Sequence, residues 1–238
     1  MFWLLDYLFL RNYGQEEKGI NKYNLIKKVS KKKTEELWIQ FSPCSVYDSK
    51  FLNRRYLQKE VSSIEYRIPR AVISFNPKNT KRILKNMFND SLKEARKAIK
   101  KNIKINILGI SLGVTLAVKL ANKVRTSKLK LIVGGSNLPK CIEEGIATRK
   151  IFLEGTKKGY IRKDFERHLD EFSPIKNMDN LNKKMETLVV LSKHDKVIPY
   201  RHGEKLAEEL SKRTSNLKII RSNLFGHGLS VILFKNKK

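Results

Sequence analysis

Gly109-Ile110-Ser111-Leu112-Gly113 is the stretch on which the reading of this chain turns. A mostly apolar run, Ile103–Leu108, precedes it and predicts a strand. A helix-like run, Val114–Val124, follows it. A serine on so sharp a strand-to-helix turn has its hydroxyl lifted above the sheet, and Gly109 and Gly113 leave out side chains that would clash there. The helix N-terminus behind Ser111 points backbone N–H groups and the positive end of a dipole at any oxyanion forming beside it. Alone, the pattern G-x-S-x-G is a weak signal, equally open to a serine that merely sits in a turn. Its weight depends on partners elsewhere in the chain.

Two partners follow in order. Thr187–Leu191 is short and almost wholly apolar, which predicts a buried parallel strand. It leads into Ser192-Lys193-His194-Asp195-Lys196-Val197-Ile198-Pro199, so Asp195 falls just past the C-terminal end of a central strand. Open α/β sheets carry their functional groups at that edge. A helix pattern, Gly203–Arg213, and a further strand, Leu217–Arg221, come next. Then Phe225-Gly226-His227-Gly228 sets a histidine between two glycines in a loop. The order Ser111, Asp195, His227 is nucleophile, acid, base.

On these three signatures the chain resembles the α/β-hydrolase family from roughly Leu37 to the C-terminus. Within that superfamily it looks most like small single-domain esterases, acyl hydrolases and monoacylglycerol-lipase-like enzymes, and Ser173-Pro174-Ile175 is similar to that group. The resemblance implies a mostly parallel sheet flanked by helices, with a small helical cap inserted at about 137–186, its helices near Glu143–Leu153 and Asp164–Phe172. It also implies acyl transfer. His227 would take the proton of Ser111, and Asp195 would hold the imidazole in the right tautomer. One oxyanion donor would be the backbone N–H of Leu112. The second comes from the loop after an early strand, here Leu37–Phe41 followed by Ser42-Pro43-Cys44-Ser45. That loop lacks the usual His-Gly, and Pro43 has no N–H, which leaves Cys44 as the second donor.

Rivals exist for two of the three roles. His194 adjoins Asp195, but successive residues leaving a strand point opposite ways. His168 lies in a charged helical stretch and reads as solvated; His202 reads as part of the turn before the Gly203–Arg213 helix. Asp170 and Asp179 compete with Asp195 from less strand-like surroundings. The remaining map predicts a charged lead-in over residues 1–36, a helix over Lys50–Ser62, a strand over Ala71–Phe75, a helix over Ser91–Lys101 and a strand over Leu129–Val133 ending in Gly134-Gly135. No repeat or linker divides residues 37–238, which read as one domain.

Composition narrows the function classes. The two cysteines, Cys44 and Cys141, make no disulfide framework and fit a reducing, cytoplasmic compartment, with a single bridge still open. No zinc spacing, P-loop or dinucleotide fingerprint is present, so neither metal nor cofactor is expected. Lys and Arg total 51 against 23 acidic residues, a net charge of +28. Such a field attracts nucleic acid or anionic lipid. Lysine is spread almost everywhere, however, and a compositional bias accounts for it equally. No nucleic-acid motif or aromatic platform accompanies the charge. The apolar Met1-Phe2-Trp3-Leu4-Leu5-Asp6-Tyr7-Leu8-Phe9-Leu10 is too short to span a bilayer. It reads either as packing on the domain or as a peripheral anchor on an anionic membrane. The leading expectation is a serine hydrolase on a small carboxylic ester or lipid-like acyl ester. The alternatives are an inactive hydrolase-fold binding protein, or an acyltransferase, thioesterase or peptidase with the same acyl-enzyme.

Overall fold

The computed structural model describes residues 26–30, 35–43, 62–68, 72–146, 148–223, 226, 227 and 230. Its centre is a seven-stranded sheet formed by β1 (Ile26–Ser30), β2 (Glu36–Pro43), β3 (Ser62–Ile68), β4 (Lys104–Ile110), β5 (Thr126–Ile132), β6 (Glu186–Ser192) and β7 (Leu217–Ser222), in the order β1-β3-β2-β4-β5-β6-β7. β1 pairs antiparallel with β3, and all other neighbours are parallel. Parallel pairing demands crossovers, and helices supply those that are described. They are α1 (Pro77–Ile99), α2 (Gly113–Ala121), α3 (Leu138–Glu144), α4 (Arg149–Lys157), α5 (Arg162–Leu169) and α6 (Tyr200–Ser211).

β4 and β6 are buried on both faces along nearly their whole length, as helices on either side of a parallel sheet require. α1 starts at the Asn76 side chain, which accepts from the Lys78 N–H, with Pro77 in its first turn. It buries Ile83, Leu84, Met87, Ala95 and Ala98, a stripe at helical spacing. α2 differs: Val114, Leu116, Ala117, Val118, Leu120 and Ala121 are all buried, so it runs through the core behind Ser111.

One strand expectation needs correction. Of the strand expected over Ala71–Phe75, the described residues Val72–Phe75 form none. Residues 72–76 turn into α1, closed by Ser74 N–H to Thr80 Oγ1 (3.0 Å) and Asn76 N–H to Ser74 Oγ (3.1 Å), while the strand lies earlier, at Ser62–Ile68. That segment carries Glu65 and Arg67, which hid its strand character. In the sheet Glu65 accepts from Ser42 Oγ at 2.7 Å and lies 3.5 Å from Arg67 Nε, so charges unfit for a lone strand are paired once β2 lies alongside. The helix expected over Lys50–Ser62 falls outside the described residues except at Ser62, which opens β3. The lead-in and the apolar N-terminus also lie outside, apart from β1 and the start of β2.

The segment between β5 and β6 is helical, as expected, but divided differently. The helix expected over Glu143–Leu153 is broken at Gly145 into α3 and α4. A Cβ on Gly145 would sit 2.3 Å from the Val197 carbonyl oxygen, so the chain bends where it crosses the loop that carries Asp195. α5 continues through the short 3-10 turns Asp170–Phe172 and Pro174–Lys176 toward β6.

Candidate active site

Ser111 sits between β4 and α2 with φ of +53°, a left-handed conformation rare for a residue with a side chain. Its neighbours explain how the turn fits. A Cβ on Gly113 would lie 2.2 Å from the Phe41 carbonyl oxygen, and one on Gly109 2.6 Å from the Ala117 Cβ. Both glycines are therefore required by close approach, of α2 to β2 and of β4 to α2. The turn is held by Ser111 N–H to Ile132 O (2.8 Å) and Val114 N–H to Ser111 O (3.0 Å).

Asp195 follows β6 and turns its carboxylate two ways. Oδ1 accepts from the Val197 and Ile198 N–H groups at 2.8 and 2.9 Å, an Asx-type turn that fixes the side chain. Oδ2 lies 2.7 Å from His227 Nδ1. The other ring nitrogen, Nε2, lies 2.9 Å from Ser111 Oγ. His227 opens a helical turn rather than sitting in an open loop, with Ser230 N–H bonded to Gly226 O at 3.1 Å. The imidazole is fully buried and the Asp195 side chain is 3% exposed. Three side chains remote in sequence thus form one hydrogen-bonded line inside the protein. The geometry is that of nucleophile, base and orienting acid.

The rivals stand elsewhere. His194 is exposed. Asp170 lies against Asn137 and Lys176, and Asp179 is exposed. Two readings change. His202 is not in a turn before α6 but within its first turn, 6% exposed, with Nε2 2.6 Å from Glu144 Oε2. Arg201 binds the same carboxylate. These contacts tie α6 to α3 beside the Asp195 loop; a histidine after a proline carried no sequence signal of a partner 58 residues away. His168 is half-buried rather than solvated. Its Nε2 is shielded with no hydrogen-bond partner among the described residues, and burial, then the charges of Arg167 and Lys81, hold it below the usual histidine range.

The Leu112 N–H lies at the start of α2, directly after Ser111, where helical N–H groups lack intrahelical acceptors. Cys44, expected as the second oxyanion donor, lies outside the described residues.

A pocket opens beside Ser111, lined by Ile73, Leu112, Leu138, Ile142, Val197 and Ile198 together with Thr115, Gly135, Cys141 and Thr148. Among the described residues that line it, none is charged. Apart from that of Ser111, its hydroxyls are engaged with backbone: Thr115 Oγ1 donates to Leu112 O and Thr148 Oγ1 to Ile142 O, both at 2.8 Å. What the pocket offers a ligand is therefore carbon. The cavity volume is about 30 Å³, space for little more than a water. The Cys141 thiol is free and buried, and burial pushes it up to about 12. The apolar positions of α3 were not singled out in the sequence, although they fall in the segment expected to shape the pocket. Among the described residues no cluster of His, Cys, Asp and Glu could hold a metal ion, and no helix is long and apolar enough to cross a membrane.

Residues 74–236 match the prolyl oligopeptidase family, a peptidase family of the α/β-hydrolase fold. The chain belongs to the prolyl oligopeptidase family. The matched region includes Ser111, Asp195 and His227. No curated protein matches the sequence. Among solved structures, the chain is similar to TT1662 from Thermus thermophilus, with a TM-score of 0.62 and 14% identity over 87% of this chain and 93% of that one. It is similar to a Mycobacterium tuberculosis puromycin-hydrolyzing peptidase, with a TM-score of 0.60 and 15% identity over 84% of this chain. It spans only 32% of that peptidase's length. An esterase from Pyrococcus furiosus is similar with a TM-score of 0.57 and 10% identity over 87% of this chain and 79% of that one. At these identities the likeness is one of fold, and it agrees with the seven-stranded, helix-flanked sheet. This prolyl oligopeptidase family member is a hydrolase of the α/β-hydrolase fold.

Proposed function

We propose that Ser111, His227 and Asp195 are a working triad that cleaves a carboxylic ester with a small, neutral, apolar acyl group. The observation that carries this reading is the buried line from Ser111 Oγ to His227 Nε2 (2.9 Å) and from Nδ1 to Asp195 (2.7 Å), beside a pocket whose described lining residues carry no charge. Ser111 Oγ attacks the carbonyl carbon while His227 Nε2 takes its proton. Negative charge collects on the carbonyl oxygen, within reach of the Leu112 N–H and the positive end of α2. Collapse of this intermediate expels the alcohol, which leaves with the proton returned by His227, and an acyl group stays on Ser111 Oγ. Water then attacks the acyl carbon, His227 again serving as base, and the acid departs.

A second reading, hydrolysis of a peptide or aminoacyl amide, is favoured by the prolyl oligopeptidase match over residues 74–236. The uncharged lining among the described residues favours the ester, because a substrate amine or carboxylate would find no partner among them.

Labelling with a fluorophosphonate tests the triad. Wild type is expected to label, Ser111→Ala not at all, and His227→Ala slowly. Turnover of p-nitrophenyl esters of increasing acyl length, set beside aminoacyl p-nitroanilides, then separates the two substrate readings. A folded wild type that does not label refutes both.

A further inference from the structure

We propose that the outward face of α4, at the rim of the Ser111 pocket, docks on an anionic lipid surface. α4 packs inward through Ile151 and Gly155; a Cβ on Gly155 would meet the Phe165 ring and the Phe75 carbonyl oxygen at 2.9 Å. Helical geometry sets Leu153 on the opposite side, where it is 48% exposed. Its neighbours three and four residues away are Arg149, Lys150, Thr156 and Lys157, all exposed. Ile146, just before α4, and Ile161, just after it, are exposed as well, at 61% and 56%. Glu154 is the helix's one acid. No carboxylate pairs with Arg149, Lys150 or Lys157 among the described residues. Lys140, Lys158 and Lys163 are also exposed on the same segment.

Three kinds of occupant can be weighed on charge and polarity. A second copy would bring like charges together, in a chain whose net charge is +28. Nucleic acid would use the cations but has no use for a leucine and two isoleucines offered to solvent. An anionic bilayer takes both, with apolar side chains entering the headgroup boundary and lysines and arginines remaining at the phosphates. The position has a consequence for catalysis. Thr148, the residue before α4, lines the pocket, as does Ile142 of α3, so docking through α4 would hold the pocket beside the lipid. The docking face does not depend on the ester reading.

The test is flotation of the full chain with vesicles of phosphatidylcholine alone or mixed with phosphatidylserine. Binding is expected to the mixed vesicles only and to weaken with salt. Each cation at an anionic surface is worth about fivefold in partitioning, so Lys150→Glu with Lys157→Glu should lower binding at least ~25-fold. Leu153→Glu should lower it comparably. Lys93→Glu with Lys100→Glu is the control for charge alone. Those residues lie on the last turns of α1 and just after it, at the sheet edge away from Ser111, and should leave most of the binding intact. All variants change exposed residues, and an unchanged circular dichroism spectrum verifies their folding. Ser111→Ala should float like wild type, so failure of the triad and failure of the docking face give different results. No flotation with mixed vesicles overturns the proposal. So does an equal loss in the α1 control. So does tighter binding to a duplex oligonucleotide that needs Lys150 and Lys157 but not Leu153.

Discussion

Gly113→Ala is the substitution whose effect follows most directly from the geometry. The added Cβ would lie 2.2 Å from the Phe41 carbonyl oxygen and 2.8 Å from its carbonyl carbon, against about 3.4 Å for an ordinary contact. The obstacle is backbone on both sides, so no side chain can swing away. Either α2 or the end of β2 must move by roughly 1 Å. Phe41 is the register partner of Gly109, so any such movement reaches the Ser111 turn directly. Overpacking of this kind costs about 1–3 kcal/mol of stability. A displacement of about 1 Å at reacting groups costs on the order of 100-fold in rate. The assay is a urea melt together with the rate of fluorophosphonate labelling, and both should fall. Gly159→Ala is the matched comparison. Gly159 has φ of +88° and nothing within 4 Å of an added Cβ. Its cost is backbone strain alone, about 1–2 kcal/mol, and labelling should keep its wild-type rate. If Gly113→Ala labels as fast as wild type and melts at the same urea concentration, the close approach of α2 to β2 is not what shapes the nucleophile turn.

Asp195→Asn keeps an acceptor for the Val197 and Ile198 N–H groups but removes the charge facing His227 Nδ1. Labelling should drop by on the order of 10³–10⁴ with melting little changed, and a parallel loss of stability would mean that the carboxylate is mainly structural. The Cys141 thiol, pushed up to about 12 by burial, should resist iodoacetamide in the native protein and react once urea unfolds it. Mass spectrometry of the Cys141 peptide reads this, and rapid native alkylation would contradict the burial. For Glu144, burial raises the carboxyl, but hydrogen bonds from His202 and Arg201 outweigh it and hold the group below its ordinary 4.5. A carboxyl lowered on folding stabilises fully above its unfolded value and loses that contribution as pH falls through the folded one. Glu144→Gln should therefore cost about 1 kcal/mol near neutrality, and the difference from wild type should shrink below a pH of about 4.5. A gap that persists in acid would refute the ion-pair account.

How much was legible in advance depended on where each signal is stored. The runs that became β4 and β6 are mostly apolar because both faces of the parallel sheet are covered there, while β5 and β7 interleave apolar residues with Lys128, Lys130, Lys218 and Arg221; both patterns can be read locally. Ser111, Asp195 and His227 stand out in the sequence because each follows, or lies just past, one of those runs. β3 was missed for the opposite reason. Glu65 and Arg67 make Ser62–Ile68 look unlike a buried strand until Ser42 on β2 meets Glu65. The break at Gly145 was equally hidden, since what forbids a side chain there is the Val197 carbonyl, which belongs to a loop on the far side of β6 in the chain.

Local signals thus suffice for the order of three residues, a serine on a glycine-flanked turn, then an aspartate, then a histidine, because turn stereochemistry and apolar periodicity act over a few residues. Tertiary packing alone sets His227 Nε2 2.9 Å from Ser111 Oγ, pairs His202 with Glu144 and lines the pocket beside Ser111 mostly with apolar side chains. Those outcomes depend on distances between elements far apart in the chain. Such distances are fixed by how helices and sheet close-pack, and no single segment carries them.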